Sequence, residues 1–271
     1  MNPSEAAYYL YCLTPSGCEL QCSAAGVDER QPVLARACGE ACAIYSEVEL
    51  GEFVGESAEA NMQDLAWLGP RVFRHESVIE QVMGRAAVLP ARFATLFSSL
   101  DSLEQFIVEH REAIAGFFAE LGERQEWAVK GLLDRAGALQ GLFHPAAEEL
   151  TGSPGMRYFQ EKRIKAQLER EFNQRLRAFS QRAAAALGTH AGGFRERKVL
   201  TPVAEGTEAE VVLNWAFLIA PGAFEDFKAS LERFNGGEAF PGLTLALTGP
   251  WPPLSLIIYR RRRRLPGALH F

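Results

Sequence analysis

"AVLPARFATLF", residues 87 to 97, decides how the chain divides. Apolar, aromatic and β-branched side chains flank Pro90, and the stretch reads as a strand that Pro90 introduces, because proline cannot donate to a central ladder. Asp101 or Ser102 can then cap a helix through "LEQFIVEHREAIAGFFAEL", where Leu103, Phe106, Ile107, Ile114, Phe117, Phe118 and Leu121 keep helical spacing. "EWAVKGLLD", 126 to 134, is a strand. Further on, "AEVVLNWAFLIA", 209 to 220, is a strand and "AFEDFKASLERFN" a helix closed by Gly236 and Gly237, and "LTLALTG" followed by "PPLSLIIYR" forms the last strand. The order β-α-β, insertion, β-α-β predicts a ferredoxin-like split sheet, with two helices on one face of four antiparallel strands.

Upstream of this lies a smaller α+β domain, residues 1 to 87. "AAYYLYCLT", 6 to 14, is an aromatic-rich strand ended by Pro15-Ser16-Gly17. In "CAIYSEVEL", 42 to 50, Ala43, Tyr45, Glu47 and Glu49 alternate with Ile44, Ser46, Val48 and Leu50, which predicts an antiparallel sheet with a wet side. "SAEANMQDLAWLGPRVFRHESVIEQVMGRA" reads as two helices broken near Gly69-Pro70. The fold class is therefore α+β in two domains, 1-87 and 88-271. The second carries a helical insertion at about 135-190 and a basic C-terminal tail.

The insertion contains a long amphipathic helix, 153 to 187. Ile164, Leu168, Phe172, Leu176, Phe179, Ala183 and Leu187 form one stripe, expected to cover shorter helices from "DRAGALQGLF" and "AAEELTG". Its opposite face mixes Glu161, Lys162, Arg163, Lys165, Glu169, Arg170, Glu171, Arg175, Arg177 and Arg182. Such a face is either a solvated surface with weak i,i+4 pairs or a docking surface for a partner helix.

At 271 residues, 48% of them apolar, the chain can bury a sizeable core. No apolar run is long enough to span a bilayer, and the start lacks the pattern of a signal peptide, which predicts cytoplasmic residence. The net charge is -6, and because Arg260 to Arg264 supply five positive charges, the rest carries -11. A body this acidic repels phosphate backbones, so any nucleic-acid or acidic-lipid binding would rest on that arginine run alone.

Cysteines 12, 18, 22, 38 and 42 all fall near the start, with C-x3-C spacing at 18/22 and 38/42. No histidine lies nearby and structural zinc pairs favour C-x2-C, so free, buried cysteine is the expected reading, with no metal and no cofactor. No glycine-rich phosphate loop, nucleophile elbow or H-E-x-x-H motif is present. The one catalytic candidate is His75-Glu76, with Glu76 or Glu80 orienting His75 as a proton shuttle. The structural alternative places Glu76 at the positive end of a helix dipole and gives His75 a cap or interdomain position.

"RHESVIEQVMGRAAVLPARFATLF", "EWAVKG", "SPGMRYFQEKR" and "LTGPWPPLSLI" together resemble the ordered blocks of the gas vesicle protein F and L family, from about Tyr8 to Tyr259. The resemblance implies a cytoplasmic, non-enzymatic protein of gas vesicle formation, an assembly factor or minor structural component. It also implies contact with the major shell protein, gas vesicle protein A, and with other accessory proteins. For the fold it implies two α+β domains, the second a modified ferredoxin fold extended by helices. The positions it singles out are His75, Glu76, Pro90, Arg92, Phe93, Glu126, Trp127, Lys130, Gly249, Pro250, Trp251, Pro252 and Pro253. Family members carry glycine where this chain has Ala94, so an ordinary β conformation is expected there. Arg92 is expected to pair with Glu126, Lys130 or Glu76, as a half-buried arginine needs a partner. Trp127 is expected to pack in a core and Trp251 either to pack or to contact a partner, and the proline-rich last strand to lie at a sheet edge or to be bulged there. The arginine run is not a family feature; it is expected to pair with acidic residues of the other domain.

Overall fold

The computed structural model describes residues 6–17, 23–142, 154–199 and 209–254. Arg260 to Arg264, Cys18, Cys22 and "AAEELTG" lie outside them. The chain forms two compact units, Met1–Glu123 with Trp251 onward, and Arg124–Pro250.

The first unit runs β1 (Ala6–Pro15), β2 (Leu34–Cys38), β3 (Ala41–Glu49), α1 (Leu50–Phe53), α2 (Glu56–Gln63), α3 (Leu65–Met83), β4 (Leu89–Pro90), β5 (Leu96–Phe97), α4 (Leu100–Glu109) and α5 (Arg111–Leu121). Its sheet has the order β2-β3-β1-β4, with β5 also paired to β1. Both faces of β1 are buried. Tyr9 and Tyr11 pack with Ile44 and Val48 against Val78, Ile79 and Val82 of α3. Leu10 and Leu13 pack with Ala43 against Leu103 and Ile107 of α4 and Ile114 of α5.

This arrangement corrects three expectations. The sheet has no wet side: Ala43 and Tyr45 are buried on the α4–α5 side, and of the polar row only Glu47 and Glu49 are exposed. Residues 87 to 97 are not one strand; only 89–90 and 96–97 pair, both with β1, and the residues between them turn. The boundary consequently falls at 123/124 rather than at 87, because β4 to α5 complete the first sheet and cover its second face.

Local chemistry moves two helix ends. Asp64, not Gly69-Pro70, separates α2 from α3: its carboxylate accepts from the Ala66 N–H as the α3 cap. The helix continues through Pro70, where Ala66 and Pro70 are both solvent-exposed and water can serve the carbonyl that Pro70 cannot bond. Ser99 caps α4, with Ser102 closing the reciprocal capping box at N3, and His110 separates α4 from α5.

The second unit runs β6 (Gln125–Leu133), α6 (Arg135–Leu142), α7 (Pro154–Gly188), β7 (Gly193–Glu196), β8 (Glu210–Ile219), α8 (Phe224–Asn235) and β9 (Leu243–Trp251). The sheet order is β7-β8-β6-β9, with β8 antiparallel to both β6 and β7. Taken as β6-α7-β7-β8-α8-β9, this is a split β-α-β unit doubled, the ferredoxin-like order. It begins at residue 125 rather than 87, and α7 is its first crossover helix rather than an insertion. Phe172, Phe179, Ala183 and Leu187 of α7 join Phe227, Leu231 and Phe234 of α8 over Val129, Trp215 and Phe217. Each fully buried phenylalanine contributes about 2 to 3 kcal/mol of transfer free energy. β9 is an edge strand, one of the two expected arrangements, but it ends at Trp251, so that Pro250 lies in it and Pro252 and Pro253 follow it.

Candidate functional site

In the first unit, α3 and β1 hold two loops through a set of buried polar contacts. The Tyr9 hydroxyl lies 2.9 Å from His75 Nδ1 and accepts from the Ala94 N–H at 3.1 Å. Burial raises the Tyr9 pKa well above its ordinary value, so the phenol keeps its proton and donates it to Nδ1. His75 also hydrogen-bonds the Ala91 backbone, which leaves its second ring N–H for the Ala91 carbonyl. The Ala91 N–H in turn donates to the Tyr11 carbonyl at 2.8 Å. His75 is 2% exposed, and burial lowers its pKa from 6.5 to about 4, so at neutral pH it is an uncharged connector between helix, strand and turn. Tyr9, Tyr11 and Phe93 ring it at centroid distances of 5.6 to 5.9 Å.

The turn that His75 clamps is strained at one residue. Ala94 has φ +61, the left-handed region, against the β conformation expected from its lack of glycine. Its N–H bond to Tyr9, together with the bonds from Thr95 N and Oγ1 to the Arg92 carbonyl, hold it there. Arg92 is exposed at the turn and has no ion-pair partner among the described residues, so it pairs with none of Glu76, Glu126 and Lys130.

Tyr11 serves the second loop in the same way. Its hydroxyl accepts from the Val27 N–H at 2.9 Å and lies 2.6 Å from Ser46 Oγ. Gly26 makes this approach possible, because a Cβ there would stand 2.7 Å from the Tyr11 oxygen. From α3, Gln81 Oε1 accepts from the Ser23 and Ala24 N–H groups, and Arg74 pairs with Glu29.

Glu76 points the other way from its neighbour. It is half-buried, and burial, aided by the charge of Glu80, raises its pKa. It neither orients His75 nor bonds any described side chain. His75 itself is closed off from solvent.

In the second unit, Glu126 is 1% exposed and is paired with Arg197, which follows β7. Trp127 packs on Phe224, centroids 4.4 Å apart, as part of the core. Lys130 is exposed beside Asn214. Gly249 takes φ +131, a conformation that suits glycine, before Pro250 at the end of β9. Trp251 is 41% exposed, while Pro252 and Pro253 are buried.

The model of the family described as gas vesicle synthesis protein GvpL/GvpF matches residues 7–255. The chain belongs to the GvpL/GvpF family. It is 27% identical over 249 residues to gas vesicle protein L of Streptomyces sp. (strain CB03234), covering 91% of each chain. Its fold is similar to the crystal structure of GvpF from Anabaena sp. PCC7120, with a TM-score of 0.70, 19% identity and coverage of 98% of this chain and 99% of that one. It is also similar to GvpF from Microcystis aeruginosa, with a TM-score of 0.64, 19% identity and coverage of 92% and 98%. The fold class expected from the sequence, helices with antiparallel sheets, is thus shared with these GvpF structures.

Of the positions that the GvpL/GvpF resemblance singled out, Phe93 packs on the His75 ring, and Pro90 and Arg92 flank Ala91, whose backbone His75 bonds. Glu126, Trp127 and Lys130 lie on β6, and Gly249 to Trp251 end β9. Sequence reasoning missed Tyr9 and Arg197, which complete the His75 and Glu126 contacts, and misread the backbone of Ala94. The paired tyrosines of β1 were the one available signal, since a buried tyrosine hydroxyl needs a partner. Cys38 and Cys42 are buried in clusters on opposite faces of the sheet, so their C-x3-C spacing does not bring these two thiols to one ion. No metal-binding group of side chains occurs among the described residues, and no described helix is long and apolar enough to cross a membrane.

Proposed function

We propose that this chain acts without catalysis in gas vesicle formation, in the cytoplasm, as an assembly or minor structural protein that contacts the major shell protein, gas vesicle protein A, and other gas vesicle components. The observation that carries the reading is the match of a gas vesicle synthesis family over residues 7–255. The buried, fully bonded His75 supports it, because the best candidate for chemistry serves to hold a turn.

The contact surface we assign is the start of α7. Met156, Tyr158 and Phe159 are 57, 61 and 71% exposed there, in the family block "SPGMRYFQEKR", ahead of the segment that buries Phe172 and Phe179. Co-purification with the major shell protein tests the contact, and deletion of the gene tests the role. The proposed role predicts cells without buoyant, light-scattering vesicles; vesicles formed in the deletion strain would refute it. Tyr158→Ser with Phe159→Ser, or neutralised charges along 153 to 187, is expected to abolish co-purification.

A further inference from the structure

Leu65, Gly69, Phe73, Glu76 and Glu80 follow one another along α3 at spacings of four, four, three and four residues, so they share one side of the helix. Leu65 and Phe73 are 80 and 73% exposed, and a Cβ on Gly69 would meet nothing within 4 Å, which leaves a notch between them. Neither Glu76 nor Glu80 has a hydrogen-bond or ion-pair partner among the described residues. Arg71 and Arg74 of the same helix are already paired with Glu52 and Glu29. The stripe is therefore apolar at its start and acidic at its end.

The start of α7 has the same layout with the opposite charge. Met156 and Phe159 are 57 and 71% exposed. Lys162 and Arg163 follow Phe159 by three and four residues, as Glu76 follows Phe73 by three, and both are exposed without an ion-pair partner among the described residues. Glu161, two residues beyond Phe159, is turned about 200° away from it.

We infer that α3 of one copy of this chain packs along the start of α7 of a second copy. In a parallel register Met156 enters the notch at Gly69, Phe159 lies beside Phe73, and Lys162 and Arg163 face Glu76 and Glu80. The axial spacings agree. From Gly69, Phe73 and Glu76 stand about 6 and about 10.5 Å along α3; from Met156, Phe159 and Lys162 stand about 4.5 and about 9 Å along α7. Long side chains absorb that difference. Two α3 stripes, or two α7 starts, would bring only like charges together, so identical faces do not pair. Each copy carries one face of each kind, and the contact continues from copy to copy or closes into a ring. The pairing rests on the α7 start being a contact surface, as proposed above, and supplies its regulation: α3 of a second copy covers Phe159 until the shell protein displaces it.

The test is the average mass of the full chain by analytical ultracentrifugation across the micromolar range. The mass rises with concentration from that of one chain to at least about twice that. Glu76→Lys with Glu80→Lys holds it at one chain, and so does Lys162→Glu with Arg163→Glu, whose exposed sites keep the test valid should Glu76→Lys disturb α3. Mixing the two variants restores association, because the reversed charges of each meet their opposites in the other. A wild-type chain that stays monomeric, association untouched by either reversal, or a mixture that stays monomeric overturns the inference. The α3 variant leaves the α7 start uncovered, so it co-purifies with at least as much shell protein as the wild type. Absence of shell protein from both, with the mass rise retained in the wild type, would count against the shell contact and not against the pairing.

Discussion

The hydroxyl of Tyr9 and Nδ1 of His75, 66 residues apart in sequence, lie 2.9 Å from each other inside the first unit. That contact links β1 to α3, and the same hydroxyl holds the Ala94 N–H of the turn between β4 and β5. The most recognisable block of the chain, "RHESVIEQVMGRAAVLPARFATLF", is thereby explained as a helix and the turn that the helix's histidine clamps.

Protonation of His75 opens this clamp. Its pKa is about 4 in the folded chain and near 6.5 when unfolded, so the unfolded chain binds the proton more readily. Stability is complete above about pH 6.5 and falls as pH drops through the window to 4, by up to ~3 kcal/mol. Urea midpoints measured across this range are expected to fall for the wild type, and the gap between it and a His75→Gln variant to narrow.

Tyr9→Phe removes the hydroxyl and leaves both Nδ1 and the Ala94 N–H without a partner. A loss of about 2 to 3 kcal/mol is expected from two buried orphaned groups. A double-mutant cycle with His75→Gln should show strong coupling, whereas independent sites would add.

Ala94 separates strain from packing. Ala94→Gly is expected to change stability by less than about 1 kcal/mol, since relief of the left-handed backbone offsets a lost methyl group and a freer unfolded chain. Ala94→Val should cost about 2 kcal/mol or more, because a β-branched side chain resists this conformation. Equal tolerance of both substitutions by thermal unfolding would contradict the observed φ of +61.

Gly26→Ala tests the second tyrosine clamp. The added methyl would stand 2.7 Å from the Tyr11 oxygen, so the loop must move and the Val27 bond is lost. A cost of about 1 to 3 kcal/mol is expected, with faster amide exchange at Val27.

In the second unit, Arg197→Ala removes the ion-pair partner of the buried Glu126 carboxylate. Breaking such a pair from one side is expected to cost about 3 kcal/mol. Glu126→Gln with Arg197→Met, assayed by chemical denaturation, should recover much of it.

Much of this was legible locally. Strands β1, β3, β6, β8 and β9 and helices α7 and α8 follow from apolar period and turn residues, which act within a few positions. The prolines of β9, which cannot donate, left an edge or a bulge, of which the structure takes the edge, and the packing of Trp127 against the core follows from its size. The short β7, Gly193–Glu196, carried too few residues for a period to show.

By itself the sequence determined the element types, the α+β class and the family, because helical and strand periods and ordered blocks are properties of neighbouring residues. Only the tertiary structure decided which elements share a sheet. "AVLPARFATLF" has the composition of a strand, yet it joins β1 of the first unit as two short pairings around a strained turn, because the second face of that sheet needed α4 and α5 to bury Leu10 and Ala43. Tertiary structure likewise decided that His75 is spent on Tyr9 and Ala91 while adjacent Glu76 faces outward without a cation, since helical neighbours differ by about 100° in direction and only packing determines which one is buried.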